Sequence, residues 1–224
     1  GTQTRSDTGF YHRSLTHLAL VYKNEMGADS RLYMGTQYMA TGQRAKGSVF
    51  FLSDTALPGS VLYHGEWYEP ISLQYDLLAD QIFIKDYTHS YDIQLTKEKI
   101  QRFTLDGHEF VYIDPDPASA ASAGYYEWLY KGALSLFVRH EKKVVLPARP
   151  EDPAYYRQDN SWFLLMGDRL VEVDGKSSLL SLLKDKKDAL KKFIRDNHID
   201  FGKDFERALI KTIDYYAQLK NNHA

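Results

Sequence analysis

The chain has 224 residues, 43% of them hydrophobic, and its 28 Lys and Arg against 30 Asp and Glu leave a formal charge of -2. Such a composition builds the core of a single soluble domain and excludes a disordered chain. The absence of any long basic block argues against nucleic acid as a partner. There is no run of about eighteen apolar residues to form a transmembrane segment, and no cysteine for disulfides, thiol catalysis or thiolate metal sites.

Three sections follow one another within that domain: residues 1–46, 47–174 and 175–224. In the first, Gly1 ahead of the polar stretch to Thr8 reads as a processed or truncated start. Leu15, Leu18, Ala19, Tyr22 and Met26 recur at helical spacing before Gly27, predicting an N-terminal helix. Arg31 to Met39 then reads as an extended arm leading into the body.

The second section predicts an antiparallel hairpin meander of about ten to twelve strands. Its turns are His64-Gly65, Ala79-Asp80, Asp106-Gly107, Lys131-Gly132 and Gly167-Asp168, dipeptides that supply the positive φ of tight reversals. Tyr91, Ile93 and Leu95 alternate with Asp92 and Gln94, as a half-buried strand requires. Phe110 and Tyr112 back onto Val111 and Ile113, so both faces are apolar and a barrel or strongly curved sheet is expected. Pro70 predicts an edge or a bulge, and the stretch from Asp114 to Gly124 a solvated loop.

The third section predicts a helix pair. Asp185 and Asp188 precede Ala189, Leu190, Phe193 and Ile194; Asn197 to Gly202 interrupts; Phe205, Ala208, Leu209, Thr212, Ile213 and Tyr216 form a second stripe. From Gly175 onward there are 11 basic and 7 acidic residues, +4, against -6 before it. The fold class is therefore mainly β with helices.

Several ordered stretches carry a resemblance: Arg31 to Gly35, Phe51 to Asp54, Gly59 to Tyr63, Tyr75 to Leu77, Phe103 to Leu105 before Gly107 and His108, Gly124 to Tyr126 with Leu129 to Gly132, and Ser177 to Tyr216. Taken in order, they resemble an uncharacterised family of exported bacterial envelope proteins. The resemblance implies a periplasmic or secreted location, with a signal peptide removed, and no assigned chemistry.

The residues offer little in the way of catalytic spacing. The eight histidines, His12, His17, His64, His89, His108, His140, His198 and His223, form neither a His-x-His nor an i, i+4 pair, so no metal motif is seen and no cofactor is expected. No serine elbow or phosphate-cradling glycine motif occurs. Asp114 and Asp116 have the spacing of calcium ligands, but Tyr125 stands where the closing Glu belongs. Asp76, in apolar surroundings, is a candidate acid to work with His108, against a turn role beside Asp80.

Aromatic residues are the compositional excess. Alternation puts Tyr126, Trp128 and Tyr130 on one strand face, a candidate ligand-binding row or a core stripe; Tyr155, Tyr156 and Trp162, near the Pro147 to Pro153 loop, are candidate exposed rings. Lys184, Lys187, Lys191 and Arg195 share one helix face that could meet anionic headgroups or simply water. The leading expectation is a non-enzymatic exported protein acting by contact with an envelope protein or ligand. A barrel holding a lipid or apolar small molecule comes second, and an Asp76/His108 hydrolase third. Oligomeric state is left open.

Overall fold

The computed structural model describes residues 32–33, 36–37, 45–85, 92–116, 119, 121–149 and 151–221. The expected N-terminal helix lies outside the described residues. From the arm that follows it, Thr36–Gln37 (β1) adds an edge strand to the sheet.

Ten further strands complete an eleven-stranded antiparallel sheet: Leu57–Tyr63 (β2), Glu66–Asp76 (β3), Gln81–Lys85 (β4), Asp92–Gln94 (β5), Ile100–Leu105 (β6), His108–Ile113 (β7), Gly124–Lys131 (β8), Ser135–Val145 (β9), Tyr155–Met166 (β10) and Arg169–Glu172 (β11). The reversals are those that the turn dipeptides demand. His64 and Gly65 have φ of 53° and 82°, Asp106 and Gly107 have 49° and 84°, and each pair closes a two-residue hairpin. The order β1-β5-β4-β3-β2-β6-β7-β8-β9-β10-β11 departs from chain order twice, where β1 meets β5 and where β2 meets β6. After β5 the chain passes a short 3-10 turn at Lys97–Lys99 and lays β6 against the free edge of β2.

β1 and β11 stand at opposite ends of that order, so the sheet is not a closed barrel. It nevertheless curls. Four strands separate β3 from β9, a distance of about 24 Å in a flat sheet, yet the Lys142 amide of β9 donates to the Leu77 carbonyl just past β3 at 3.1 Å. Opposite Pro70 the β2–β3 register slips between Gly59 and Val61, leaving Ser60 to face both Glu69 and Pro70. This is the bulge expected where a ladder donor is missing.

Residues 46–52 run across the opening as a strap. Lys46 bridges to Tyr155 of β10, and Phe50 bridges to Asp76 of β3. The Phe51 amide donates to Tyr75 O at 2.8 Å and the Leu77 amide to Val49 O at 3.0 Å. Lys142 Nζ adds bonds to Ser48 O (2.9 Å) and Phe50 O (2.7 Å) from β9.

Three helices close the chain: Lys176–Leu182 (α1), Lys187–Asp196 (α2) and Phe205–Asn221 (α3). The pair expected from periodicity is α2 and α3, and α1 precedes it. Asp185, at the start of α2, accepts from Tyr216 Oη at 3.1 Å and pairs with Lys220 at 2.7 Å, both near the end of α3. The two helices are therefore antiparallel. Asp185 serves this crossing contact, and no side-chain cap bond forms at α2. Among the described residues no helix is long and apolar enough to cross a membrane.

Burial divides into three clusters. Val61, Tyr63, Leu73, Tyr75, Phe103, Leu105, Phe110 and Tyr125 fill the inside of the curl. Leu136, Leu164, Leu179, Leu183, Leu190, Ile194, Leu209 and Ile213 pack the helices on the sheet. Val111, Tyr126, Phe137, Phe163 and Leu170 cover the outer face together with Ala121. The loop before Gly124 is thus not wholly solvated: Ala121 is buried there, and Ser119 Oγ donates to Leu170 O at 3.0 Å.

Candidate functional site

Alternation along β8 turns Tyr125, Glu127 and Leu129 towards the inner face and Tyr126 and Trp128 towards the outer one. Glu127 consequently sits at the seam between the ring-filled curl and the helix-covered core. It is 7% exposed, and it is not alone. His108 Nδ1 of β7 lies 2.5 Å from Oε1, His140 Nε2 of β9 lies 2.7 Å from Oε2, and His140 Nδ1 meets Asn160 Oδ1 of β10 at 2.9 Å. Four adjacent strands thus contribute one residue each to a continuous polar chain.

Burial pushes the Glu127 carboxyl up, but the bonds from His140 and His108 outweigh it and hold it below its ordinary value. A buried ionised carboxylate stays in place only when paired and hydrogen-bonded, and both its oxygens are so used. Both His140 ring nitrogens lie within hydrogen-bond distance of side-chain oxygens. His108 is more open, and its Nε2 has no partner among the described residues. Half-buried Glu206 of α3 looks towards the same seam. Its carboxyl is raised by burial and by the charge of Glu127, against the Trp162 indole N–H at 3.5 Å and His140.

The strap locks onto this chain through one ring. Phe51 lies 5.1 Å from the His108 ring, 5.1 Å from the His140 ring and 5.2 Å from Phe110. The next residue, Leu52, is 59% exposed at a φ of 58°, a conformation rarely adopted by a branched side chain.

Beside the strap a cleft of about 340 Å³ opens among Leu77, Leu78, Asp80, Arg139, Lys142 and Lys143, with His140 also in its wall. Asp80 organises one side. It accepts from Tyr75 Oη at 2.6 Å and pairs with Lys97 and, at 3.7 Å, with Arg139. Tyr75 is driven well above its ordinary pKa by burial and then by Asp80, so it stays a neutral donor. A Cβ at Gly124 would lie 1.9 Å from Arg139 Nη1 and 2.6 Å from Asp80 Oδ2, so any side chain there displaces the ends of this pair. Burial lowers the Lys142 ammonium, partly offset by Asp54 and Asp76.

The residues singled out by sequence are scattered. Tyr126 is fully buried and donates to Ser122 O at 2.6 Å. Trp128 packs with it on the outer face, under Lys131 at 4.6 Å. A register shift between Trp128 and Tyr130 breaks the row, and Tyr130 instead packs under the helices with its hydroxyl on Asp214 at 3.1 Å. Tyr155 is exposed at the strap's Lys46 end and Tyr156 is half-buried. Trp162, expected to be open, is half-buried beneath α3, edge-on to Phe205 at 4.9 Å.

Asp76 accepts the Leu78 and Ala79 amides at 2.7 and 3.0 Å, the turn role, and its carboxyl is raised by burial despite those bonds. His108 is bonded to Glu127, and among the described residues no contact joins it to Asp76. The Glu127 partnership went unseen because its members lie 13 and 19 residues away in sequence. The one available signal was a carboxylate in the inward register beside Tyr125. Among the described residues no group of three or more His, Asp or Glu is arranged to hold a metal ion.

No family model matches the chain, and neither a curated protein nor a solved structure matches it.

Proposed function

We propose that the protein is an exported envelope protein, periplasmic or secreted, that acts without catalysis by presenting the rim around its strap to a partner protein. The carrying observation is the set of large apolar side chains that border the strap. Leu146 and Tyr155 are 78% and 43% exposed near its Lys46 end, and Leu52 and Leu78 are 59% and 42% exposed near its Phe51 end. Apolar groups of this size gathered at a rim are what interface centres are made of. The rim is fixed in advance by Lys142 and Phe51, which reduces the ordering cost of association. Export rests on the resemblance of the ordered sequence stretches alone. A lipid held inside the curl is not favoured, because Tyr63, Tyr75, Phe103, Phe110 and Tyr125 occupy that space.

The test is capture from native bacterial envelope extract by the protein and by a Leu78→Asp/Leu146→Asp variant of unchanged melting temperature. A partner recovered by the first and lost by the second sustains the reading. No recovered protein, or the same set with both baits, defeats it.

One observation favours a second reading. The Glu127 carboxylate orients His108 through Nδ1 and leaves Nε2 as a general base, with Glu127 in the place expected of Asp76. Turnover of activated esters that disappears in His108→Gln without loss of folding is the expected result on this reading; no turnover by the unaltered protein ends it.

A further inference from the structure

The helical section carries the chain's positive excess, and its distribution on α3 is uneven. Lys203, Arg207 and Lys211 recur at four-residue spacing and so share one stripe of the helix and the turn before it. They line a pocket of about 250 Å³ with His198, Ile199, Ala208 and two carboxylates, Asp200 and Asp204. A second pocket of about 260 Å³ continues from it, sharing Asn197, Ile199 and Lys211, and is walled by Phe193 and Tyr215. Those two rings stack at 4.0 Å with an interplanar angle of 8°. The result is a two-lobed groove between α2 and α3, cationic at one end and aromatic at the other.

The acidic and basic groups of the groove differ in what they already hold. Asp200 Oδ1 accepts the Gly202 and Lys203 amides, and Asp204 Oδ1 accepts the Arg207 amide. Asp214 accepts from Tyr130 and Gln218, and the Asn197 amide donates to Phe193 O. Each carboxylate therefore has at least one oxygen engaged within its own chain. His198, Lys203, Arg207 and Lys211 have no ion-pair partner among the described residues; Lys184, Lys187 and Lys191 have none either, but lie outside both pockets. Unpaired cations converging on a concave site, next to an apolar wall, are the recognition chemistry of an anionic ligand with a flat body.

The geometry points to a binding site for a phosphate monoester of an aromatic ring, its phosphate among Lys203, Arg207 and Lys211 and its ring against Ile199 and the Phe193–Tyr215 stack. The site is separate from the strap rim and does not depend on it.

Calorimetric titration with phenyl phosphate, inorganic phosphate and benzyl alcohol tests the site. Phenyl phosphate is expected to bind with Kd of about 1 mM or tighter, and the two partial ligands at least roughly fivefold more weakly, since each fills one lobe. Lys203→Gln/Arg207→Gln is expected to weaken phenyl phosphate by roughly tenfold or more with melting temperature unchanged. Lys184→Gln/Lys187→Gln, which removes the same net charge outside the groove, is expected to leave binding alone. Absence of phenyl phosphate binding, equal binding of inorganic phosphate, or equal loss in the two double variants overturns the inference.

Discussion

Tyr63, Tyr75, Phe103, Phe110 and Tyr125 fill the inside of the curled sheet, whereas Leu179, Leu183, Leu190, Leu209 and Ile213 fill the space beneath the helices. The ring-filled side brings dipoles in with its apolar surface. Tyr75 donates to Asp80 and Tyr125 to Lys97 O, and Glu127 and His140 adjoin the rings through Phe51. The aliphatic side buries Thr212, whose hydroxyl is satisfied within its own helix at Ala208 O. Rings with polar tips let a sheet interior hold charged groups that an aliphatic core would expel. The chemistry of the molecule accordingly gathers at the sheet's end of the seam.

The largest expected effect breaks the ring-filled side. Phe103 is fully buried and stacks on Phe110 at 4.6 Å, so Phe103→Ala should cost about 4 kcal/mol in urea unfolding. Leu209→Ala under the helices should cost about 3 kcal/mol, with the aromatic near-ultraviolet dichroism of the curl retained. Equal loss of that signal in both variants would show that the two cores are one packing unit.

At the seam, Glu127→Ala leaves two imidazoles without their carboxylate and should cost about 3 kcal/mol; Glu127→Gln, which keeps an acceptor, should cost less. The pH dependence sharpens this. Glu127 titrates lower in the folded state than in the unfolded one, so its contribution is complete above its unfolded pKa and is lost as pH falls through the lowered folded value. Asp76 is raised and works in the opposite direction, with its folded form holding the proton more tightly. Unfolding curves at stepped pH should therefore show a shallower acid loss for Glu127→Gln and a steeper one for Asp76→Asn. The smallest effect belongs to the helix side: Tyr216→Phe removes the bond to Asp185 and should cost about 1 kcal/mol, read as a small shift in urea midpoint.

Local chemistry made much of this architecture readable. Asp-Gly and His-Gly pairs specify their own backbone angles, so the β2–β3 and β6–β7 hairpins follow from two residues each. The stripe from Phe205 to Tyr216 likewise specifies which face of α3 is buried. Curvature was not so encoded. It depends on Leu77 meeting Lys142 and on Lys142 reaching Ser48, contacts between stretches with no shared local signal. The aromatic row failed for a related reason: alternation carries Tyr126 and Trp128 outward, but a bulge one residue later turns Tyr130 to the helices. His108 and His140 were visible as residues, while the Glu127 that joins them became significant only once three strands lay side by side.

The strap also orders events in time. Most neighbouring strands are joined by short reversals that close within microseconds, but Lys142 binds Ser48 across 94 residues and Phe50 across 92. Closure over the seam must await a sheet already assembled as far as β9. Hydrogen-exchange labelling during refolding should therefore find the Phe51 and Leu77 amides protected after those of the β6–β7 hairpin, with the rim the last part of the molecule to take its shape.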